Sequence, residues 1–122
     1  MSDLIDTYVS ALATDDADTA LATLSADAIF HSPFNIWRRR HVSSVFHART
    51  SAFSNLLIKS VIRGHDRAVI LWHATVNDAQ VEGAELVSVR DGAICRVDVF
   101  LRPAAALDAV HQAMVAAWPS YE

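Results

Sequence analysis

Four polar side chains in this sequence, Tyr8, His31, Ser32 and Glu85, are candidates to supply the few polar groups of a small hydrophobic pocket, a layout that does not by itself identify a reaction. Glu85 lies within Val81 to Val89, a valine-rich stretch that reads as a strand. Desolvation keeps a carboxyl group that stands alone on an apolar surface protonated, so Glu85 is expected to donate a hydrogen bond to a ligand oxygen. Tyr8 lies on a predicted helix and offers a phenolic hydroxyl to the same pocket. Plainer roles stay open for both. Glu85 would be solvated or paired with an arginine, and Tyr8 would be a core tyrosine with a satisfied hydroxyl.

The segment Ile29-Phe30-His31-Ser32-Pro33-Phe34 ends a short strand in a serine directly before proline. A histidine side chain titrates near neutrality, so His31 is a candidate acid or base, with a structural role as the alternative. Strand neighbours face opposite ways, so His31 and Ser32 do not both enter one pocket. Ser32 either joins the site or simply turns the chain before Pro33. The expected apolar walls are Trp37, Phe46, Phe53, Trp72, Val87, Val97, Val99 and Leu101, a lining suited to a flat or bulky hydrophobic ligand.

Arg38-Arg39-Arg40 is the one strong charge run. It is either an anion-recruiting patch or a solvated loop with Trp37 folded over the core. Six histidines occur, but no pair has the i, i+4 zinc spacing and no HExxH is present, so no metal is expected. There is neither a glycine-rich phosphate loop nor a G-x-S-x-G elbow, and no cofactor is expected.

The elements that position these groups follow from periodicity. Leu4, Ile5, Tyr8, Val9 and Leu12 recur at helical spacing behind acidic Asp3 and Asp6. After Asp15-Asp16 a second helix is expected from Asp18, then a short strand over Ala28 to His31 stopped by Pro33. Helical spacing returns from His41 to Phe53 through Val45, Phe46, Arg49 and Phe53. The period then changes to two. Leu56 to Arg63, Arg67 to Val76, Val81 to Val89 and Ala93 to Arg102 read as strands, with turns at Gly64, Asn77-Asp78 and Asp91-Gly92. Pro103 is placed to open a last helix whose stripe is Leu107, Val110, Met114 and Trp118. The order predicts an α+β domain of mostly antiparallel strands with helices on one side.

Two registers decide where Glu85 points. If Arg90-Asp91-Gly92 forms a three-residue turn, Val89 faces Ala93 and Glu85 pairs with Val97. Val87, Val89, Cys95, Val99 and Leu101 then share its face, with Leu86, Ser88, Ile94, Arg96, Asp98 and Phe100 on the other. A two-residue turn would set Glu85 beside Asp98 instead. Pairing Asn77 with Gln80 would place Trp72 opposite Glu85 and turn His73 outward.

Composition bounds the rest. The 122 residues suit one domain over residues 1–122, and 52% hydrophobic content is ample for a core. A net charge of -4 argues against general nucleic-acid binding. One cysteine, Cys95, excludes an internal disulfide, and no run of about 18 apolar residues suggests a membrane span. The opening Met1-Ser2-Asp3-Leu4 has no basic or apolar leader character, so a cytoplasmic protein is expected.

This order of elements, with SADAIFHSPF after two helices and VRDGAICRVDVFLRP before the last, resembles the nuclear-transport-factor-2-like superfamily. That group includes ketosteroid isomerases, SnoaL-like polyketide cyclases and limonene-epoxide-hydrolase-like enzymes. The resemblance implies a curved sheet wrapped around helices, a conical α+β barrel with an internal pocket, and a homodimer formed through the sheet. In ketosteroid isomerases a first-helix tyrosine and a late-strand acid hold an enolate oxygen, while a carboxylate before a proline moves the proton. Tyr8 and Glu85 match the first two positions, and Ser32 stands where the third would be. Serine without a base is a poor proton acceptor, so the usual ketosteroid isomerisation is not expected. The arginine and two aspartates of the epoxide hydrolases have no matching set.

Two functions follow as expectations. One is a binder or cofactor-independent isomerase, cyclase or dehydratase for a polyketide-, terpenoid- or steroid-like carbonyl compound. There Glu85 and Tyr8 would hold the oxygen, with His31 or Ser32 assisting the proton. The other is a non-catalytic dimeric module whose pocket is filled and whose outer sheet face, with Leu86, Ile94 and Phe100, forms the interface.

Overall fold

The computed structural model describes residues 2–38 and 40–119, so Arg39 of the basic run lies outside the described residues. Helix α1 spans Ser2–Ala13 and α2 spans Ala17–Ala22. Asp16 caps α2 by accepting from the Thr19 amide at 3.1 Å, which starts this helix one residue before the predicted position. Strand β1 (Leu24–His31) begins earlier than predicted, and a short β2 (Ile36–Arg38), which the sequence did not signal, pairs back onto it. Then come α3 (Arg40–Ala52), β3 (Ser54–Arg63), β4 (Arg67–Val76), β5 (Ala79–Arg90) and β6 (Ala93–Arg102). Pro103 caps a single 3-10 turn, Ala104–Ala106, rather than opening the last helix directly, and α4 runs Leu107–Ala117.

The strands form one open sheet in the order β2-β1-β6-β5-β4-β3. All neighbours are antiparallel except β1 and β6, which run parallel and bring the two ends of the chain's fold together. The sheet is thus mixed, and its end strands β2 and β3 do not close a barrel. Burial alternates along β4, where Ala68, Ile70, Trp72, Ala74 and Val76 face the helices and His73 faces away, as its period of two demands.

The hairpin turns fall where expected, but the pairing across each differs from the registers weighed above. Asn77-Asp78 and Asp91-Gly92 are two-residue turns with every φ positive, the twist that suits right-handed strands. Trp72 therefore pairs with Gly83 rather than with Glu85. In the last hairpin Arg90 pairs with Ala93, and a bulge at Cys95 then shifts the register. Glu85 ends opposite Val99, neither Val97 nor Asp98. The shift of two residues preserves parity, so Glu85 still faces the core with Val87, Val97 and Val99. Ile94, on the near side of the bulge, is buried in the core, not on the outer face.

Gly83 makes one close approach possible. A Cβ there would lie 2.3 to 2.6 Å from three atoms of the Trp72 ring. The indole occupies that space and packs edge-on to Phe53, with centroids 5.5 Å apart. Helix α3 contributes the facing stripe: Val42, Val45, Phe46 and Arg49 are all buried. One of those four is an arginine.

Candidate functional site

Glu85 is completely buried, and three donors surround its carboxylate. The Tyr8 hydroxyl donates to Oε1 at 2.7 Å. Arg49 Nη2 donates to Oε2 at 2.6 Å, and Trp72 Nε1 donates to the same oxygen at 2.7 Å. Four elements supply the four side chains: α1, α3, β4 and β5. Glu85 is therefore an acceptor paired with an arginine, and the expected role as a free protonated donor is overturned. An isolated acid on an apolar surface was the wrong picture because α3 lays a guanidinium directly over it.

The Arg49 charge sits in an aromatic cage. Its guanidinium carbon is 5.6 Å from the Phe46 ring centroid, 5.8 Å from Trp72, 5.9 Å from Phe53 and 6.0 Å from Phe30. Burial works against that charge, but Coulomb attraction and hydrogen bonding from Glu85 outweigh it, and the guanidinium pKa is raised. Burial, and then the charge of Glu85, push the Tyr8 phenol well above its ordinary value, with Arg49 pulling the other way. Tyr8 accordingly remains a donor.

Arg49 Nη1 is buried and has no hydrogen-bond partner among the described residues. Arg49 also lines a cavity of about 170 Å³. Phe30, Val45, Phe53, Trp72 and Val99 form its inner walls, and Val110, Met114 and Trp118 of the C-terminal helix region form the opposite one. The polar groups on the lining include Ser32, Asn35 and His111 besides Arg49. Neither Tyr8 nor Glu85 lines it; both stand behind Arg49 and Trp72.

The remaining sequence candidates divide. Trp37, Phe53, Trp72, Val99 and Leu101 line the cavity. Phe46, Val87 and Val97 do not, and are completely buried packing residues. Trp37 lies over the core between Phe30 and Trp118, with centroids at 6.2 and 5.9 Å. Ser32 lines the cavity and also turns the chain, its hydroxyl accepting from the Phe34 amide at 3.2 Å.

His31 points to the other side of the sheet. Its Nδ1 lies 3.4 Å from Asp98 Oδ1, and Arg96 Nε reaches both Asp98 oxygens at 3.0 Å. A role for His31 in the cavity is thereby corrected, for the reason that strand alternation supplies: Phe30 faces in, so His31 faces out. Arg38 and Arg40 are exposed at the end of β2 and the start of α3. No cluster of three metal-ligating side chains occurs among the described residues.

Sequence reasoning missed Arg49, Asn35 and His111. For Arg49 a signal existed, an arginine repeating at i+3 and i+4 within an otherwise apolar stripe. Asn35 and His111 carry no comparable pattern.

The profile of the SnoaL-like domain family matches residues 5–97. This chain belongs to that family. A steroid delta-isomerase from Pseudomonas aeruginosa superposes with a TM-score of 0.86 at 20% identity, covering 94% of this chain and 88% of that chain. An uncharacterized bacterial protein with a cystatin-like fold from Silicibacter pomeroyi also gives 0.86, at 22% identity, with 93% and 83% covered. A de novo designed protein with a curved β-sheet gives 0.77 at 15% identity, with 94% of each chain covered. No functionally curated protein matches the sequence. At these identities the likenesses establish the fold, an open-sheeted α+β arrangement shared by SnoaL-like and ketosteroid-isomerase-like proteins. No described helix is long and apolar enough to cross a membrane.

Proposed function

We propose that this SnoaL-like domain takes a small, neutral, largely apolar carbonyl compound into the cavity, with the carbonyl oxygen accepting from Arg49 Nη1. The unpartnered Nη1 carries this reading. A buried donor left unsatisfied costs about 1–3 kcal/mol, and more when charged, so a ligand oxygen has a strong reason to bind there. The aromatic and aliphatic lining suits a polyketide-, terpenoid- or steroid-like ring.

Charge balance selects the ligand further. Arg49 and Glu85 already neutralise one another as a buried pair. A ligand carboxylate would add a negative charge beside Glu85 with no counterion, a penalty of several kcal/mol for an unpaired buried ion. A ketone, ester or lactone adds none. Reactions that pass charge through a carbonyl oxygen (isomerisation, cyclisation, dehydration) are the ones this arrangement serves. Cys95 without a disulfide partner accords with a cytoplasmic setting.

A thermal-shift comparison of indanone, indane and indane carboxylic acid tests the reading. At a hundred times its dissociation constant a ligand adds about 2.7 kcal/mol. Indanone should raise the melting temperature most and the acid least. Arg49→Lys, which keeps the charge beside Glu85 but lacks the planar fork that presents Nη1 separately from the Glu85 bond, should erase the preference for the ketone over indane. A carboxylic acid that stabilises more than the ketone would refute the assignment.

The outer sheet face supports a second proposal, association with another copy. Leu57, Ile62 and Phe100 are all more than half exposed there, and Leu71, Ala84 and Phe100 stand side by side across three strands.

A further inference from the structure

We propose that His111 is the catalytic base of this cavity, taking a proton from the carbon next to the bound carbonyl. The inference rests on the carbonyl-binding reading above.

The cavity's own lining leads to His111 by chemistry. Arg49 cannot give up its proton near neutrality, and Trp72 has only a donor, already directed at Glu85. Asn35 is an amide whose Oδ1 accepts from the Ile36 amide at 2.8 Å. Ser32 is a weak base whose hydroxyl oxygen is occupied by the Phe34 amide. The imidazole of His111 is the side chain among these with a ring nitrogen able to act as a base.

Its placement suits the task. His111 lies on α4 beside Val110, and its ring is 5.3 Å from that of Phe34, tilted by 39°. The turn that begins at Ser32 fixes Phe34, and Phe34 in turn backs the imidazole at the cavity wall. Neither ring nitrogen of His111 has a hydrogen-bond partner among the described residues. The residue is also exposed, so a proton it has taken can exchange with water.

The step balances without any further reactant. The imidazole takes the α proton, and the C–H electron pair forms a carbon–carbon double bond while the carbonyl π pair moves onto oxygen. Arg49 Nη1 holds the resulting enolate oxygen. The imidazolium then returns a proton to the same carbon, giving exchange, or to the far end of a conjugated system, giving isomerisation.

Indanone in deuterated buffer reads this directly, because its α protons disappear from the proton NMR spectrum while its ring protons serve as reference. The wild-type protein should accelerate that loss above buffer. His111→Gln should bind indanone as the wild type does and slow the protein-dependent exchange about a hundredfold or more. Exchange at the wild-type rate in His111→Gln overturns the inference, as does bound indanone that never exchanges faster than in buffer; either leaves the binding reading intact. Failure of the wild type to bind indanone removes that reading and the inference with it.

Discussion

Arg49 Nη2 and Glu85 Oε2 lie 2.6 Å apart, both side chains buried, although the two residues are 36 positions apart in sequence. This pair links the core to the cavity. One guanidinium nitrogen is spent on Glu85, and the other stands unpartnered in a residue that lines the cavity. The pair is therefore both a packing element and the anchor of the proposed site.

Glu85→Gln removes the charge that balances Arg49 and leaves a buried cation unpaired. We expect a loss of about 3–5 kcal/mol in urea unfolding, as for other broken buried pairs. Replacing both partners with apolar residues, Arg49→Met with Glu85→Leu, should cost less than Glu85→Gln alone. A Glu85→Gln protein as stable as the wild type would show that the pair is not buried in solution.

The Tyr8 phenol gives a pH dependence with a definite sign. Its folded pKa is raised by burial and by Glu85, so the folded state holds this proton more tightly than the unfolded one. The stability it contributes is complete below the ordinary phenol value of about 10 and is lost as pH rises above that. In an ultraviolet titration one tyrosine should ionise only as the protein unfolds, and Tyr8→Phe should remove that component. Tyr8→Phe should also cost about 1.5–3 kcal/mol, the usual worth of a hydrogen bond to a charged group. Smooth ionisation of every tyrosine in the folded protein would contradict this.

Much of this arrangement was legible in the sequence, and the gaps have physical causes. Alternating burial in β4 and β5 and the glycine-bearing turns announced the sheet, and parity alone turned Glu85 inward. The bulge at Cys95 and the short β2 depend on long-range pairing, which no local pattern encodes. Tyr8 and Glu85 were expected to converge on a ligand oxygen, and in the structure they bond to each other behind the cavity. Their chemistry was misjudged because Arg49, though visible in the stripe with Val45, Phe46 and Phe53, was read for its spacing and not for its charge. Alternation showed that only one of His31 and Ser32 could enter the cavity but not which, and the structure sends His31 to Asp98.

Gly83→Ala tests how Trp72 is held. The added methyl would fall within 2.6 Å of the indole ring, so the ring or β5 must move. Overpacking of this kind costs about 1–3 kcal/mol. Displacing the indole also breaks the Nε1 bond to Glu85, so tryptophan fluorescence should change along with the unfolding midpoint. An unchanged midpoint and spectrum would mean that Trp72 has room the structure does not show.

Association through the outer sheet face makes a prediction independent of the cavity. Phe100 is 61% exposed at one end of an apolar row that continues through Ala84 to Leu71. An aromatic side chain at that position gains its burial only if another surface covers it. Sedimentation equilibrium should therefore show a dimer for the wild type, and Phe100→Glu should shift it to a monomer. The monomeric variant should keep its melting behaviour at low concentration, since Phe100 contributes little to the core of one chain. It should also keep its response to indanone, because the cavity lies on the opposite side of the sheet. A wild type that sediments as a monomer at all concentrations would leave this face without a second copy.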